Sequence, residues 1–331
     1  MPRVFLFVLL LSVSLQIHAA VTLKIATLLP DGTRWMQAMR AAATEIQSRT
    51  EGRVELRFYP GGVMGNDKSV LRKIRAGQLQ GGMITAGGLA TIAPDIQAYS
   101  LPFLFRSFEE VDHVRGQTDA LLLDSLQRRG FTSFGLMEGG FVYLMTQTPV
   151  ASIADLRATK VWAPEGDQIS RIAYDELGVS AIPLPLSDVL TGLQTGLIET
   201  IGASPVAAIA LQWHTRVKFL TNAPVLYLYG SLVIQNRALH RLERRDADVL
   251  NQVLRATSRQ LNDENRLDNQ QARVALGKRG IETVTPNAAE MMQWRDIVNK
   301  AVTRLADSAG KFSSDLIPRI QQAIAAYRND H

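Results

Sequence analysis

Apolar and polar positions change their period several times after residue 20. Val21–Thr27 is a short β-type run that ends at a Pro-Asp-Gly turn. Apolar residues between 35 and 46 then recur at helical spacing, and Val54–Tyr59 alternates like a strand. A helix is predicted at about 67–76 and a strand at 82–86. This alternation of strands and helices predicts a parallel sheet with right-handed crossovers.

A second unit of similar rhythm begins near Pro149. Its elements are predicted as a strand at 160–163, a helix at 168–177, a strand at 181–183 and a helix at 187–196. The apolar run 225–235 is long enough for a strand that crosses from one domain to the other. Residues 238–276 contain neither Gly nor Pro, which predicts one long helix. The C-terminal region is also helical in pattern, with an interruption near Gly310.

Loops that follow the predicted strands are the first candidates for a binding site. They lie at 30–31, 60–65, 87–88, 162–164 and 202–205. Open α/β sheets bind ligands beyond the carboxyl ends of their strands, so these loops are expected to converge on one cleft between the two units. The glycines at 61, 62 and 65 are interpreted as a tight turn. Asp31 and Asp67 are expected to be helix caps first and ligand contacts second.

The first twenty residues differ in composition from the rest of the chain. Arg3 precedes an apolar run over 4–15, and small residues follow at Ala19 and Ala20. This pattern predicts a secretory signal peptide over residues 1–20, cut after Ala19 or Ala20. The alternative, an uncleaved membrane anchor, needs about 20 apolar residues, and this run is shorter. We therefore expect export to the periplasm.

Composition narrows the function further. The 331 residues are 46% hydrophobic and 20% charged, which is ample for two globular domains. The net charge of +5 is spread along the chain, so no basic patch indicates nucleic-acid binding. The absence of cysteine excludes disulfides, thiolate catalysis, cysteine metal sites and an N-terminal lipid anchor on cysteine.

Catalytic motifs are absent from the sequence. There is no Gly-x-Ser-x-Gly and no His-Glu-x-x-His, and the histidines at 113, 214, 240 and 331 do not have metal-ligand spacing. We expect a binding protein rather than an enzyme, with no metal and no cofactor.

Six short segments in register carry a family resemblance. They are 61–65 (Gly-Gly-Val-Met-Gly), 94–105 with Leu-Pro-Phe-Leu-Phe at its end, 155–160, 177–178, 183–186 and 193–196. In order and spacing they resemble the extracytoplasmic binding proteins of tripartite ATP-independent periplasmic (TRAP) transporters, the dicarboxylate-binding family. The resemblance implies an α/β, two-domain periplasmic-binding-protein-like fold with hinge strands and a long domain-spanning helix.

The resemblance also implies how the chain is divided between the two domains. The first α/β domain is expected at 21–145 plus about 230–270, and the second at 146–229 plus about 271–331, with the ligand cleft between them. The domains would close around a small molecule and deliver it to integral membrane permease subunits. A sensor subunit that presents its closed form to a receptor would use the same closure.

Two positions depart from the family pattern. The resemblance implies an arginine at position 142 and a carboxylate-clamping arginine at position 162, but this chain has Val142 and Trp162. A guanidinium holds a carboxylate with two parallel hydrogen bonds, whereas an indole offers one N–H and a large apolar face. The run 199–204 is also smaller and less polar than the family pattern.

These departures favour a substantially apolar or aromatic ligand in a cleft lined by few polar groups. The candidate ligand-binding residues are Trp35, Met64, Asp67, Phe103, Phe141, Val142, Tyr143, Trp162, Pro164, Leu184, Ala203, Trp213 and Tyr229. The alternatives are that Trp162 is a core residue, and that the ligand is a C4-dicarboxylate or keto acid held by a displaced arginine, either Arg34 or Arg171.

Overall fold

The computed structural model describes residues 20–307, 312–313 and 315–330, so the predicted signal peptide lies outside the described residues. Ten strands are present in the described chain. They are β1 Val21–Thr27, β2 Val54–Tyr59, β3 Gly81–Thr85, β4 Phe131–Thr146, β5 Val161–Pro164, β6 Ala181–Leu184, β7 Thr200–Ala203, β8 Phe219–Thr221, β9 Leu226–Gln235 and β10 Glu282–Val284.

Twelve α-helices accompany the strands in the same described ranges. They are α1 Arg34–Arg49, α2 Asp67–Arg75, α3 Ala86–Leu89, α4 Phe108–Arg128, α5 Ile153–Arg157, α6 Gln168–Glu176, α7 Val189–Thr195, α8 Pro205–Ala210, α9 Asn236–Leu239, α10 Arg244–Lys278, α11 Ala288–Asp307 and α12 Leu316–Asp330. A 3-10 segment at Pro94–Ser100 precedes α4. The mixed α/β prediction is confirmed.

One continuous path of strands joins the two domains. The order is β2-β1-β3-β9-β4-β7-β5-β6, and β8 joins β4 to β10. β1, β2 and β3 are parallel, as are β5, β6 and β7, so each domain points the carboxyl ends of its strands toward the other. The predicted crossing strand is confirmed as β9, and its antiparallel partner is the 16-residue β4.

The hinge strand β4 is irregular where it leaves the first domain. Its pairing with β9 shifts register between Ser133 and Leu136 and again between Glu138 and Gly140. Gly140 has a φ of +89°, and a Cβ there would lie 2.7 Å from the Nδ2 atom of Asn269 on α10. Only glycine satisfies both conditions without strain.

The long helix α10, whose length the Gly- and Pro-free run predicts, contributes to both domains, as the family resemblance implies. It is 35 residues long. Leu250, Leu254 and Leu261 pack in a core with α1 and β1 of the first domain, whereas Leu276 packs in a core of the second domain. The apolar face of one helix therefore belongs to two cores.

The C-terminal helix α12 corrects the predicted domain division. Residues 271–331 were expected in the second domain, but Leu316, Ile320 and Ile324 are buried in the core of the first domain, where α12 packs against α4. Its amphipathic pattern shows which face is buried but not which domain provides the partner surface.

Candidate ligand-binding cleft

The loops that follow β1 and β2 are bonded to each other. The Gly62 amide donates to the Thr27 carbonyl at 3.0 Å, and the Gly61 amide donates to the Leu29 carbonyl at 2.8 Å. Gly61 and Gly62 have φ values of +66° and +74°. These amides are used within the protein, which agrees with the tight-turn interpretation.

Asp67 lies at this edge, but it does not cap α2. The cap is Asn66, whose side chain accepts a hydrogen bond from the Ser69 amide. The Asp67 Oδ2 atom accepts bonds from the Thr85 amide at 3.1 Å and the Thr85 hydroxyl at 2.6 Å, whereas Oδ1 is buried and has no partner among the described residues. Burial raises the pKa of Asp67, and the two Thr85 bonds oppose this rise only in part.

Thr33, rather than Asp31, caps α1. The Thr33 hydroxyl accepts from the Met36 amide at 3.3 Å, whereas Asp31 forms an exposed ion pair with Arg40 at 2.9 Å. The prediction that Asp31 and Asp67 are helix caps is therefore wrong, since Thr33 caps α1 and Asn66 caps α2.

On the second domain, the loop after β5 leads directly into α6. Pro164 ends the strand, and Asp167 caps the helix by accepting from the Ile169 amide at 3.1 Å and the Ser170 hydroxyl at 2.6 Å. A capping carboxylate at this end of a helix is favourable because the first-turn amides have no partner inside the helix.

The two edges meet across the seam between the domains. The Asn66 side chain donates to Glu165 Oε2 at 3.3 Å, and the Gln97 side chain donates to Asp167 Oδ1 at 2.8 Å. Ile169, at the start of α6, is 3% exposed and packs in the core of the first domain. The two domains are therefore in direct contact along this seam in the described molecule.

Trp162 lies in the core of the second domain. Its ring is 4% exposed, meets Trp213 edge-on at 5.3 Å between centroids, and donates its indole N–H to the Leu184 carbonyl at 3.0 Å. Both tryptophans belong to one buried cluster with α7 and α8. Neither ring is exposed, because β5 is covered on both faces, and the expectation that the two rings contact a ligand stays a prediction.

Phe141 and Tyr229 are also core residues. They pack with Tyr227, whose centroid lies 5.9 Å from that of Phe141 and 5.7 Å from that of Tyr229. The Tyr229 hydroxyl is satisfied by the Ile96 carbonyl. Both rings therefore pack in the core beside the hinge strands, and their contact with a ligand stays a prediction.

Several predicted residues do lie together where β4 passes into the second domain. Tyr143 pairs with Ala203 of β7, and Val142 is close enough to Gly202 that a Cβ there would be 3.2 Å from the valine methyl. Leu184 and Tyr143 are partly exposed at the edge of the same core. The sequence argument missed Arg273, whose guanidinium lies 5.1 Å from the centre of the Tyr143 ring.

The remaining predicted residues are spread over other surfaces. Trp35 packs against the core beneath α1, and Met64 packs against the core beneath α2. The ring centroid of Phe103 lies 6.5 Å from that of Trp294, and Phe103 borders a small apolar pocket. These three residues therefore lie against separate parts of the structure.

Arg34 and Arg171, the two arginines considered as replacements for the missing family arginine, lie on helices of different domains. Arg34 begins α1 and pairs with Asp268 of α10 at 3.1 Å, with 56% of its side chain exposed. The next residue of α10, Asn269, accepts from the Val206 amide at the start of α8 in the second domain. Arg171 is exposed on α6 and has no ion pair among the described residues.

No group of three or more His, Cys, Asp or Glu side chains suited to a metal ion occurs in the part of the chain that the structure describes. None of the described helices combines the length and apolarity needed to cross a membrane.

Comparison with known proteins adds a family match. The profile described as "Bacterial extracellular solute-binding protein, family 7" (DctP) matches residues 25–308. The 2,3-diketo-L-gulonate-binding periplasmic protein YiaO of Escherichia coli is 27% identical over 159 residues, 46% of this chain and 47% of that protein. The match thus spans about half the length of this curated relative.

A longer match is the C4-dicarboxylate-binding periplasmic protein DctP of Rhodobacter capsulatus, 22% identical over 79% of each chain. Among solved structures, the sugar acid binding protein DctPAm of Advenella mimigardefordensis, in complex with galactonate, superposes with a TM-score of 0.85. That alignment is 18% identical and covers 93% of this chain and 99% of the other, and it supports the fold.

Proposed function

The chain belongs to the bacterial extracellular solute-binding proteins, family 7, and from this premise we propose that it captures a small organic acid by domain closure for a TRAP-type transporter. The profile match over residues 25–308 includes both domains and both hinge strands. Site chemistry, rather than fold, then decides the ligand.

The main support for domain closure is a pair of hydrogen bonds between the two domains across the seam. Asn66 lies in the loop after β2 and Gln97 in the 3-10 segment before α4, and their bonds to Glu165 and Asp167 join the first domain to the α6 edge of the second. Such bonds exist only in the closed form, so they stabilise it relative to the open form. A ligand that contacts both edges would shift the same equilibrium.

An organic acid is favoured over an apolar ligand because the aromatic rings that could contact an apolar ligand are packed inside the protein. Trp162 and Trp213 are packed against each other with the Trp162 N–H bonded internally, so they offer no free apolar face. The three proteins named above carry acid ligands in their names. Arg34 on α1 and Arg171 on α6, one in each domain, would supply a cation for a carboxylate.

Delivery completes the proposed role. Export through the leader at 1–20 would place the protein in the periplasm, where its closed form would be read by integral membrane permease subunits. The ligand would be released as the seam opens.

The ligand class is tested by a thermal-shift screen of sugar acids, keto acids, C4-dicarboxylates and apolar aromatic compounds, followed by calorimetry. Arg34→Gln or Arg171→Gln should weaken acid binding about tenfold or more, since a buried carboxylate loses a charged partner. Arg40→Gln, which removes an exposed pair with Asp31, is the matched control. Binding of apolar compounds alone would reject the acid class.

A further inference from the structure

The buried face of α10 becomes polar where the helix passes from one domain to the other. Leu261 packs in a core of the first domain and Leu276 in a core of the second. Between them the buried residues of the helix are Asn265, Asn269 and Ala272, and the two asparagines are 4% and 7% exposed. Asparagine is a poor residue for a helix interior, and a buried amide is costly unless it is hydrogen-bonded. Two asparagines at this point therefore indicate specific partners on a neighbouring element.

Those partners lie on the irregular part of the hinge strand β4. In its pairing with β9 the strand has one extra residue, Gly139, between Glu138 and Gly140. The Asn265 side chain donates to the Glu138 carbonyl at 2.8 Å, and the Asn269 side chain donates to the Gly139 carbonyl at 3.4 Å. The helix thus bonds the strand where the ladder between β4 and β9 is interrupted.

Glu138 fixes β4 to the first domain just before this interruption. Its side chain is 1% exposed, and its carboxylate accepts from Arg115 on α4 at 2.9 Å and from Arg266 on α10 at 2.6 Å. Its amide donates to Asn262 at 2.8 Å, and Asn262 donates to the Leu136 carbonyl at 2.9 Å. Separating a buried carboxylate from its guanidinium partners is strongly unfavourable. We therefore expect rotation of the second domain to begin after Glu138.

Asn269 connects this point to the second domain. Its Oδ1 atom accepts from the Val206 amide at 3.2 Å, in the first turn of α8, and Ala208 of α8 is buried in a core of the second domain. The first amides of a helix have no partner within it, so this bond satisfies a donor of α8. Asn269 Nδ2 also donates to the Asn265 carbonyl at 3.0 Å, which orients the amide group. One side chain thus bonds the hinge strand, α10 and α8.

We propose that Asn269 is a positioning residue for domain closure. Through its bonds to Gly139 and Val206 it couples the hinge strand to the second domain and stabilises the arrangement in which the domains are in contact. This raises ligand affinity, because a larger fraction of molecules is then competent to hold the ligand. The inference rests on the closure step of the proposed function and is independent of the ligand class.

The test is single-molecule energy transfer, without added ligand, between dyes on Arg72→Cys in α2 and Ser187→Cys in the second domain, both at exposed positions. Asn269→Leu keeps nearly the same shape without the amide bonds. It should lower the ratio of contacting to separated molecules about fivefold, as expected for one lost hydrogen bond. Asn269→Ala, which cannot overpack the site, should shift the ratio in the same direction.

Asn262→Leu is the matched control. It removes two bonds of the same kind from the same helix, but both join α10 to the first-domain part of β4. The ratio of contacting to separated molecules should therefore stay at the native value, even where denaturant unfolding shows a loss of stability.

Two results would overturn the role of Asn269. One is a native ratio in both Asn269 variants, and the other is an equal shift in Asn262→Leu. A native chain with a single transfer state in the presence of every acid of the screen would instead reject closure itself, and the proposed function with it. A native chain that responds to an acid while the Asn269 variants match it leaves the proposed function intact and rejects this inference alone.

Discussion

Gln97 donates a 2.8 Å hydrogen bond to the Asp167 carboxylate, which also caps α6. One side chain of the second domain thus fixes the start of its own helix and joins the first domain. Asp167 Oδ1 accepts from both Gln97 and the Ile169 amide, so the orientation that suits the helix also suits the seam. The interdomain bond therefore costs little additional ordering of Asp167 on closure.

Gln97→Ala should weaken ligand affinity about fivefold to tenfold. One neutral-to-charged hydrogen bond of the closed form is lost, worth about 1 kcal/mol or slightly more. Calorimetry with the acid found in the screen measures the effect. Gln117→Ala, which removes an exposed contact with His113 on α4, is the control. Equal affinity in both variants would show that the seam bond does not contribute to closure.

Trp162→Ala should lower the free energy of unfolding by about 3–5 kcal/mol, because a large buried ring is removed. Ligand affinity of the folded protein should change little. Trp162→Phe keeps most of the packing and loses the bond to the Leu184 carbonyl, so about 1 kcal/mol is expected. Denaturant unfolding and calorimetry separate the two effects. A large loss of affinity without loss of stability would return Trp162 to the ligand site.

Asp67→Asn should raise the melting temperature at neutral pH. A raised pKa in the folded state means that the contribution of Asp67 to stability is fully present below its usual pKa of 3.8 and is lost as the pH rises through the folded value. Asparagine keeps an acceptor for Thr85 without the buried charge. The gain should vanish at acidic pH, and Asp31→Asn is the exposed control. A lower melting temperature at pH 7 would contradict this assignment.

Glu110 should make the protein more sensitive to acid. Burial would raise its pKa, but the bonds from Arg328 and the Arg106 amide outweigh burial and lower the pKa below 4.5. Its stabilisation is therefore present above pH 4.5 and is lost as the pH falls through the folded value. Arg328→Gln should flatten the dependence of unfolding free energy on pH in this range, whereas Arg319→Gln should not. Parallel profiles for Arg328→Gln and the native chain would refute the pairing.

The fold could be predicted from sequence because each element carries a strong local signal. The helical spacing of apolar residues between 35 and 46 predicts α1, and the Gly- and Pro-free run predicts α10. These signals depend on neighbours within one or two turns. No such local signal indicates the domain against which α12 packs, because its apolar face fits either core.

The binding site was harder to predict from the sequence, because it also depends on contacts between distant segments. Strand β5 is buried on both faces, with Val161 in one core and Trp162 in the other, so alternation could not indicate which side chain faces the cleft. The seam is made by Asn66 and Gln97, whose residue types are common at loops and surfaces. Their role follows only from the approach of segments that are distant in sequence, namely 66 to 165 and 97 to 167.

The central claim, closure around an organic acid, is tested most directly by fluorescence energy transfer between the domains. The native sequence has no cysteine, so Arg72→Cys in α2 and Ser187→Cys in the second domain give two unique, exposed labelling positions. Titration with the acid should shift single molecules to a state of higher transfer, at the concentration where calorimetry shows binding. Binding without any change in transfer, or a change produced only by apolar compounds, would contradict the account.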